Sequence, residues 1–116
     1  MYRICKRFDF EAAHQLTHLG SEHPCYRLHG HSYKAWFYFQ SKELTNGFVI
    51  DFNELDYIKD KINRSLDHEF LNDVIEVPTC EKIASYLYYE FRCFYPTLYK
   101  VRVSETDKTW GEYEGS

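Results

Sequence analysis

The sequence predicts an α+β fold, with a four-stranded antiparallel sheet and two helices on one of its faces, in the order ββααββ. Three observations predict it. Apolar residues alternate with a period of two near the start, recur at helical spacing in two central stretches, and return to short strand-like runs near the end.

The first strand covers residues 2–12, where Tyr2, Ile4, Phe8, Phe10 and Ala12 fall on the even positions and only Lys6 interrupts them. The second covers residues 31–39, a run rich in aromatic residues, which favour strands. Between them lies a long polar stretch with Gly20 and Pro24. A loop of that length in so small a domain is usually functional. Asp51 can cap the first helix, with Glu54 completing a capping box. Phe52, Leu55, Ile58, Ile62 and Leu66 then form one apolar stripe. Pro78-Thr79 introduces the second helix, whose stripe is Ile83, Leu87, Phe91 and Phe94, and Pro96 stops it. The third and fourth strands, residues 98–104 and 109–113, flank a turn at Asp107-Lys108. The face of the sheet without helices must be solvated or covered by another subunit.

At 116 residues the chain is expected to be one domain spanning residues 1–116. Hydrophobic residues at 44% predict a packed core. Aromatic residues reach 19%, more than so small a core needs, which points to an interface or a flat-ring site. A net charge of −4 argues against nucleic-acid binding but leaves an anionic small substrate open. No stretch is apolar enough to cross a bilayer, and the first residues lack the apolar run of a signal peptide. Cys5, Cys25, Cys80 and Cys93 form no C-x-x-C pair, so reduced thiols and a cytoplasmic location are expected.

Three histidines have ligand-like placement. His29 and His31 lie two apart at a strand entry and share a face, with Gly30 between them to permit close backbone approach. His14 continues the even face of the first strand. Antiparallel pairing of the two strands brings all three together, and three neutral imidazoles with an open position are the arrangement of catalytic zinc. An H-x-H pair also occurs as ordinary surface residues, and His18 and His23 read best as solvated loop residues. Cys25, beside Arg27, is a fourth ligand, a base or nucleophile, or a small buried thiol. Asp67-His68 follows the first helix, either as a carboxylate orienting an imidazole or as a helix-terminal histidine. Glu105 shares the face of Val101 and Val103. Its carboxylate can accept two N–H bonds from a guanidine-like ring edge, or it is only a polar strand end.

These segments resemble one family. Phe8-Asp9-Phe10-Glu11-Ala12-Ala13-His14-Gln15-Leu16 is similar to the F-x-F-x-A-A-H-x-L opening of the 6-pyruvoyltetrahydropterin synthase family. Cys25-Tyr26-Arg27-Leu28-His29-Gly30-His31 resembles its C-x-x-L-H-G-H core, and Gly47 to Phe52 its G-x-V-x-D-F step. Leu66-Asp67-His68 with Leu71-Asn72, Pro78-Thr79-Cys80-Glu81, Glu105-Thr106 and Tyr113-x-Gly115 complete the series in order. Lys82 departs from it, standing where the family usually has Asn.

The resemblance implies the tunnelling fold, in which subunits join their sheets into a barrel, commonly a hexamer of two trimers. It implies zinc on His14, His29 and His31. Cys25 would be the catalytic base, with Asp67 and His68 completing its triad from a neighbouring subunit. Glu105 would anchor the pterin's amino-pyrimidine edge, with Thr79 and Glu81 lining that pocket. The candidates for the triphosphate are Arg27 and Lys34, although the sequence does not single them out.

The short chain and Cys25 resemble the branch that turns dihydroneopterin triphosphate into 6-carboxytetrahydropterin, acetaldehyde and triphosphate on the route to queuosine. Residues 99–107 resemble the branch that eliminates triphosphate to give 6-pyruvoyltetrahydropterin. A third reading is a non-catalytic, zinc-stabilised domain that binds pterins or a protein partner, with Cys25 closing a four-ligand site.

Overall fold

A computed structural model of the chain describes residues 1–115. Strands β1 (Tyr2–His14) and β2 (His29–Ser41) are followed by helix α1 (Asp56–Ser65) and a two-residue strand β3 (Glu69–Phe70). Helix α2 (Cys80–Phe91) precedes β4 (Leu98–Thr106) and β5 (Thr109–Glu114). The strands lie in the order β3-β1-β2-β4-β5, and every pair is antiparallel except β1 with β3.

The sheet therefore has five strands, one more than expected. β3 pairs only Glu69 with Ala12 and Phe70 with Ala13, and a strand of two residues has no period to read. β1 and β2 both extend farther toward their connecting loop than the alternation suggested. That extension carries His14 and His29 into the ladder beside His31.

One face of the sheet packs against both helices. Phe8, Phe10 and Ala12 of β1, Tyr33, Ala35, Phe37 and Phe39 of β2, and Val101 and Val103 of β4 meet Ile58 and Ile62 of α1 and Ile83, Leu87 and Phe91 of α2. Edge-to-face rings knit the layers: Phe37 lies 5.5 Å from Phe8 and 5.7 Å from Phe91.

The first helix starts later than its cap predicts. Asp51 does cap, but its side chain accepts from the Asn53 N–H at 2.9 Å and opens a 3-10 turn over Phe52–Leu55. The tighter turn rotates Phe52 out of the stripe, leaving it 47% exposed. Phe94 is 56% exposed because α2 has already ended at Phe91. Pro78-Thr79 does introduce α2, and Thr79 caps it, accepting from the Lys82 N–H at 3.3 Å. Lys82 enters this contact through its backbone, so the departure from Asn leaves the cap intact.

Phe37 is fully buried at the centre of this core. Phe37→Ala is expected to cost about 3–5 kcal/mol, read as a lowered midpoint in urea unfolding. A loss under about 1 kcal/mol would show that the sheet and helices do not depend on that ring.

Candidate active site

The β1–β2 register sets His14 opposite His29 and Ala12 opposite His31. All three imidazoles therefore leave the sheet on its helix-covered face. Their ligand nitrogens lie within 4.8 Å of one another and form a group among the described residues that could hold a metal ion. The rings stand edge to face, with centroids 4.5 to 5.2 Å apart.

Two backbone carbonyls settle which nitrogen faces the cluster. His14 Nδ1 donates to the Pro78 carbonyl at 2.7 Å, and His29 Nδ1 donates to the Arg27 carbonyl at 2.6 Å. Each neutral ring then carries its lone pair on Nε2, and those two atoms lie 2.9 Å apart. His31 Nε2 is buried with no hydrogen-bond partner. Lone pairs facing one another, beside an orphaned buried nitrogen, fit a cation at their centre, and outer N–H bonds to carbonyls are how ligand histidines are usually held.

Burial also favours the metal-binding protonation state. His14 is 1% exposed. Desolvation, and secondarily its neighbours His29 and His31, push its pKa below the ordinary 6.5, against the opposing pull of the Pro78 carbonyl and Glu105. His31 is lowered for the same leading reason, against the pull of Glu105. Glu105 approaches the cluster from β4, its Oε2 3.6 Å from His14 Nε2 and 3.4 Å from His31 Nε2.

A cavity of about 220 Å³ opens beside the triad. It brings His14 together with Thr79, Glu81 and Glu105, the pocket residues expected from the sequence, and adds Leu16, Cys80 and the Thr109–Gly111 segment. The Cys80 thiol is pushed up to about 12, chiefly by burial and then by the charges of Glu105 and Glu81. It is a neutral wall of the cavity. Gly111 was not anticipated. A Cβ there would come within 3.0 Å of Glu81 Oε1 and 3.1 Å of its backbone nitrogen, so the missing side chain lets α2 start against β5. Gly30, in contrast, has no such need, since a Cβ would rest 3.5 Å from the Ala12 carbonyl in ordinary contact.

The largest hollow, about 640 Å³, lies between the Thr45–Asp51 segment and Phe94 to Thr97. Its ionisable side chains are Asp51, Glu54 and two tyrosines, with no histidine or cysteine. Size does not mark the chemistry here; the smaller cavity does.

The remaining candidates stand apart from that cavity. Cys25 is half-buried in a 3-10 turn, Pro24–Tyr26. Its carbonyl accepts from the Leu16 N–H at 3.1 Å and its N–H donates to His23 Nδ1 at 3.1 Å. Its sulfur is not among the clustered ligand atoms. Arg27 is exposed, and Lys34 reaches Asp107 at 3.4 Å. Asp67 Oδ1 accepts from the Glu11 N–H at 2.8 Å while Oδ2 lies 3.0 Å from His68 Nδ1. The Glu11 N–H first, and His68 second, hold that carboxyl below its usual range. His68 adopts φ 60°, an uncommon left-handed backbone for a residue other than glycine, and its side chain is 78% exposed.

A model of the family described as 6-pyruvoyl tetrahydropterin synthase matches residues 3–116. The chain belongs to the 6-pyruvoyl tetrahydropterin synthase family. Membership makes it a lyase of the pterin-synthase type. It is 38% identical to a 6-carboxy-5,6,7,8-tetrahydropterin synthase from Synechocystis sp., over 97% of this chain and 93% of that one. A protein from Archaeoglobus fulgidus, provisionally given the same name, is 33% identical over 90% of this chain and 88% of its own. The 6-pyruvoyl tetrahydropterin synthase of Caenorhabditis elegans superposes with a TM-score of 0.85 at 26% identity, covering 99% of this chain and 96% of that one. The fold is the tunnelling fold of this family, with β3 as a short addition at one edge.

The clustered histidines supply a test of pH dependence. A group whose pKa is lowered by folding binds fewer protons in the native state, so stability falls as pH drops below its unfolded value. The metal-free protein is expected to lose thermal stability as pH falls below 6.5, the ordinary histidine value. His14→Gln should flatten that decline in melts at pH values on either side. An unchanged slope would mean that His14 is not held neutral.

Proposed function

We propose that the chain converts 7,8-dihydroneopterin triphosphate and water into 6-carboxy-5,6,7,8-tetrahydropterin, acetaldehyde and triphosphate, on the route to queuosine and other 7-deazapurines. The observation that carries this reading is the convergence of three imidazoles, two of them pinned through Nδ1, beside a cavity floored by a carboxylate.

His14, His29 and His31 would hold zinc, which suits neutral imidazole and supplies Lewis acidity toward side-chain oxygens. Glu105 accepts two N–H bonds from the amino-pyrimidine edge, a bidentate match that orients the ring. Thr79 and Glu81 line the same cavity, and Arg27, exposed in the segment between the first two strands, meets the triphosphate. Cys25 acts as the base that moves protons between side chain and ring. His68, positioned by Asp67, relays them. Breaking the bond between the first two side-chain carbons leaves the first as the carboxyl group, with the added water supplying an oxygen. The other two leave as acetaldehyde. The ring gains the hydrogens that this oxidation releases, so no outside oxidant is needed.

The exposure of His68, held in place by the half-buried Asp67, supports the pair's service to a neighbouring subunit. Both sides of the sheet present open edges, since β3 covers β1 only at Ala12 and Ala13 and β5 is the last strand on the other side. Pairing of such edges would build the barrel, as a hexamer of two trimers. No helix among the described residues is long and apolar enough to cross a membrane. All four cysteines are free, in keeping with a cytoplasmic setting.

Incubation with dihydroneopterin triphosphate is expected to release acetaldehyde and 6-carboxytetrahydropterin, separated by chromatography. Recovery of 6-pyruvoyltetrahydropterin without acetaldehyde would assign the elimination reaction instead. Cys25→Ala should keep metal content and assembly while turnover falls about 10²–10⁴-fold. His29→Ala should lose the metal. Loss of metal in the Cys25 variant would favour a closed structural site.

A further inference from the structure

Glu105 lies closer to the histidines than a residue reserved for the ring edge needs to be. Its Oε2 is 3.4 Å from His31 Nε2 and 3.6 Å from His14 Nε2. His14 and His29 both spend their single N–H on backbone carbonyls, so neither can offer a proton to the centre. The lone pairs of His14 and His29 thus face one another 2.9 Å apart, a carboxylate oxygen sits beside the first, and His31 Nε2 near them has no hydrogen-bond partner. Acceptors gathered around at most one N–H, that of His31, repel one another unless a cation sits among them. Three neutral ligands would leave a divalent ion's full charge in a half-buried site, and one carboxylate halves it.

We propose that Glu105 occupies the metal's fourth position in the resting protein, and that the pterin ring displaces it by offering N–H donors to the same carboxylate. The proposal rests on the metal reading above. The side chain is 31% exposed and lies at both the cluster and the cavity wall, so rotation about its own bonds suffices to exchange the two partners. Coordination would then open only to a molecule whose ring engages Glu105. Water and simple diols, lacking those donors, would leave the position closed.

The test needs no turnover. Wild type, Glu105→Gln and His29→Ala are loaded with Co²⁺, whose visible spectrum reports its ligands, and affinity is read by competition with a chelator. Neopterin, which carries the ring without the phosphates, is then titrated in. Glu105→Gln is expected to bind Co²⁺ about 10-fold or more weakly, in the range seen when groups around a metal site are removed, with an altered spectrum. Neopterin should move the wild-type spectrum away from its Glu105-bound form, as the carboxylate turns to the ring and the side-chain oxygens reach the metal. Glu105→Asp, with the charge on a shorter arm, should also alter the spectrum, and melts of the metal-free variants check folding. Identical spectra and affinities in wild type and both Glu105 variants, with binding abolished in His29→Ala, would overturn the proposal and keep the metal site. Failure of wild type to bind Co²⁺ would sink both.

Discussion

The pairing of β1 with β2 sets everything else at this site. Antiparallel registration fixes both the distance between facing residues and the side to which each points. Because His14 faces His29, and His31 lies one alternation farther along β2, no loop has to fold in a special way to bring the rings together. A slip of one residue would turn a whole strand's set of side chains to the other face. The same alternation that buries Phe8, Phe10, Tyr33 and Phe37 therefore also aims the imidazoles. Core packing and ligand placement are one constraint, and the aromatic residues that stabilise the sheet resist any register that would separate the ligands.

Much of this was legible in the chain. The period of two continued from Phe8 through His14, and the H-x-H pair opened the next strand, so their meeting followed from strand geometry alone. Glu105 could be placed on the correct face through Val101 and Val103. The two helices showed through their stripes, although Phe52 and Phe94 were counted as apolar positions and are exposed. Both errors lie at helix ends, where a tighter turn or an early stop changes the angle between residues without changing their spacing.

What stayed hidden shares a physical character. β3 is too short for a pattern and exists because the chain after α1 runs beside Ala12 and Ala13. The Nδ1 bonds to Pro78 and Arg27 involve backbone carbonyls, which every residue has and no motif announces. Gly111 is a contact between the start of one helix and an edge strand, visible only once both are in place. The strand position of a glycine beside Trp110 was the one available signal, since an interior strand glycine often marks close backbone approach.

That contact ties the cavity to the outer edge of the sheet. Glu81 and Cys80 rest directly on Gly111, with no side chain between them to absorb movement. β5 is the last strand, so whatever grips its free side bears on the start of α2 and on the wall that Glu81 contributes. The shape of the ring-binding recess is thus mechanically continuous with the rim of the sheet, and a bulkier residue at 111 would act as a wedge between them.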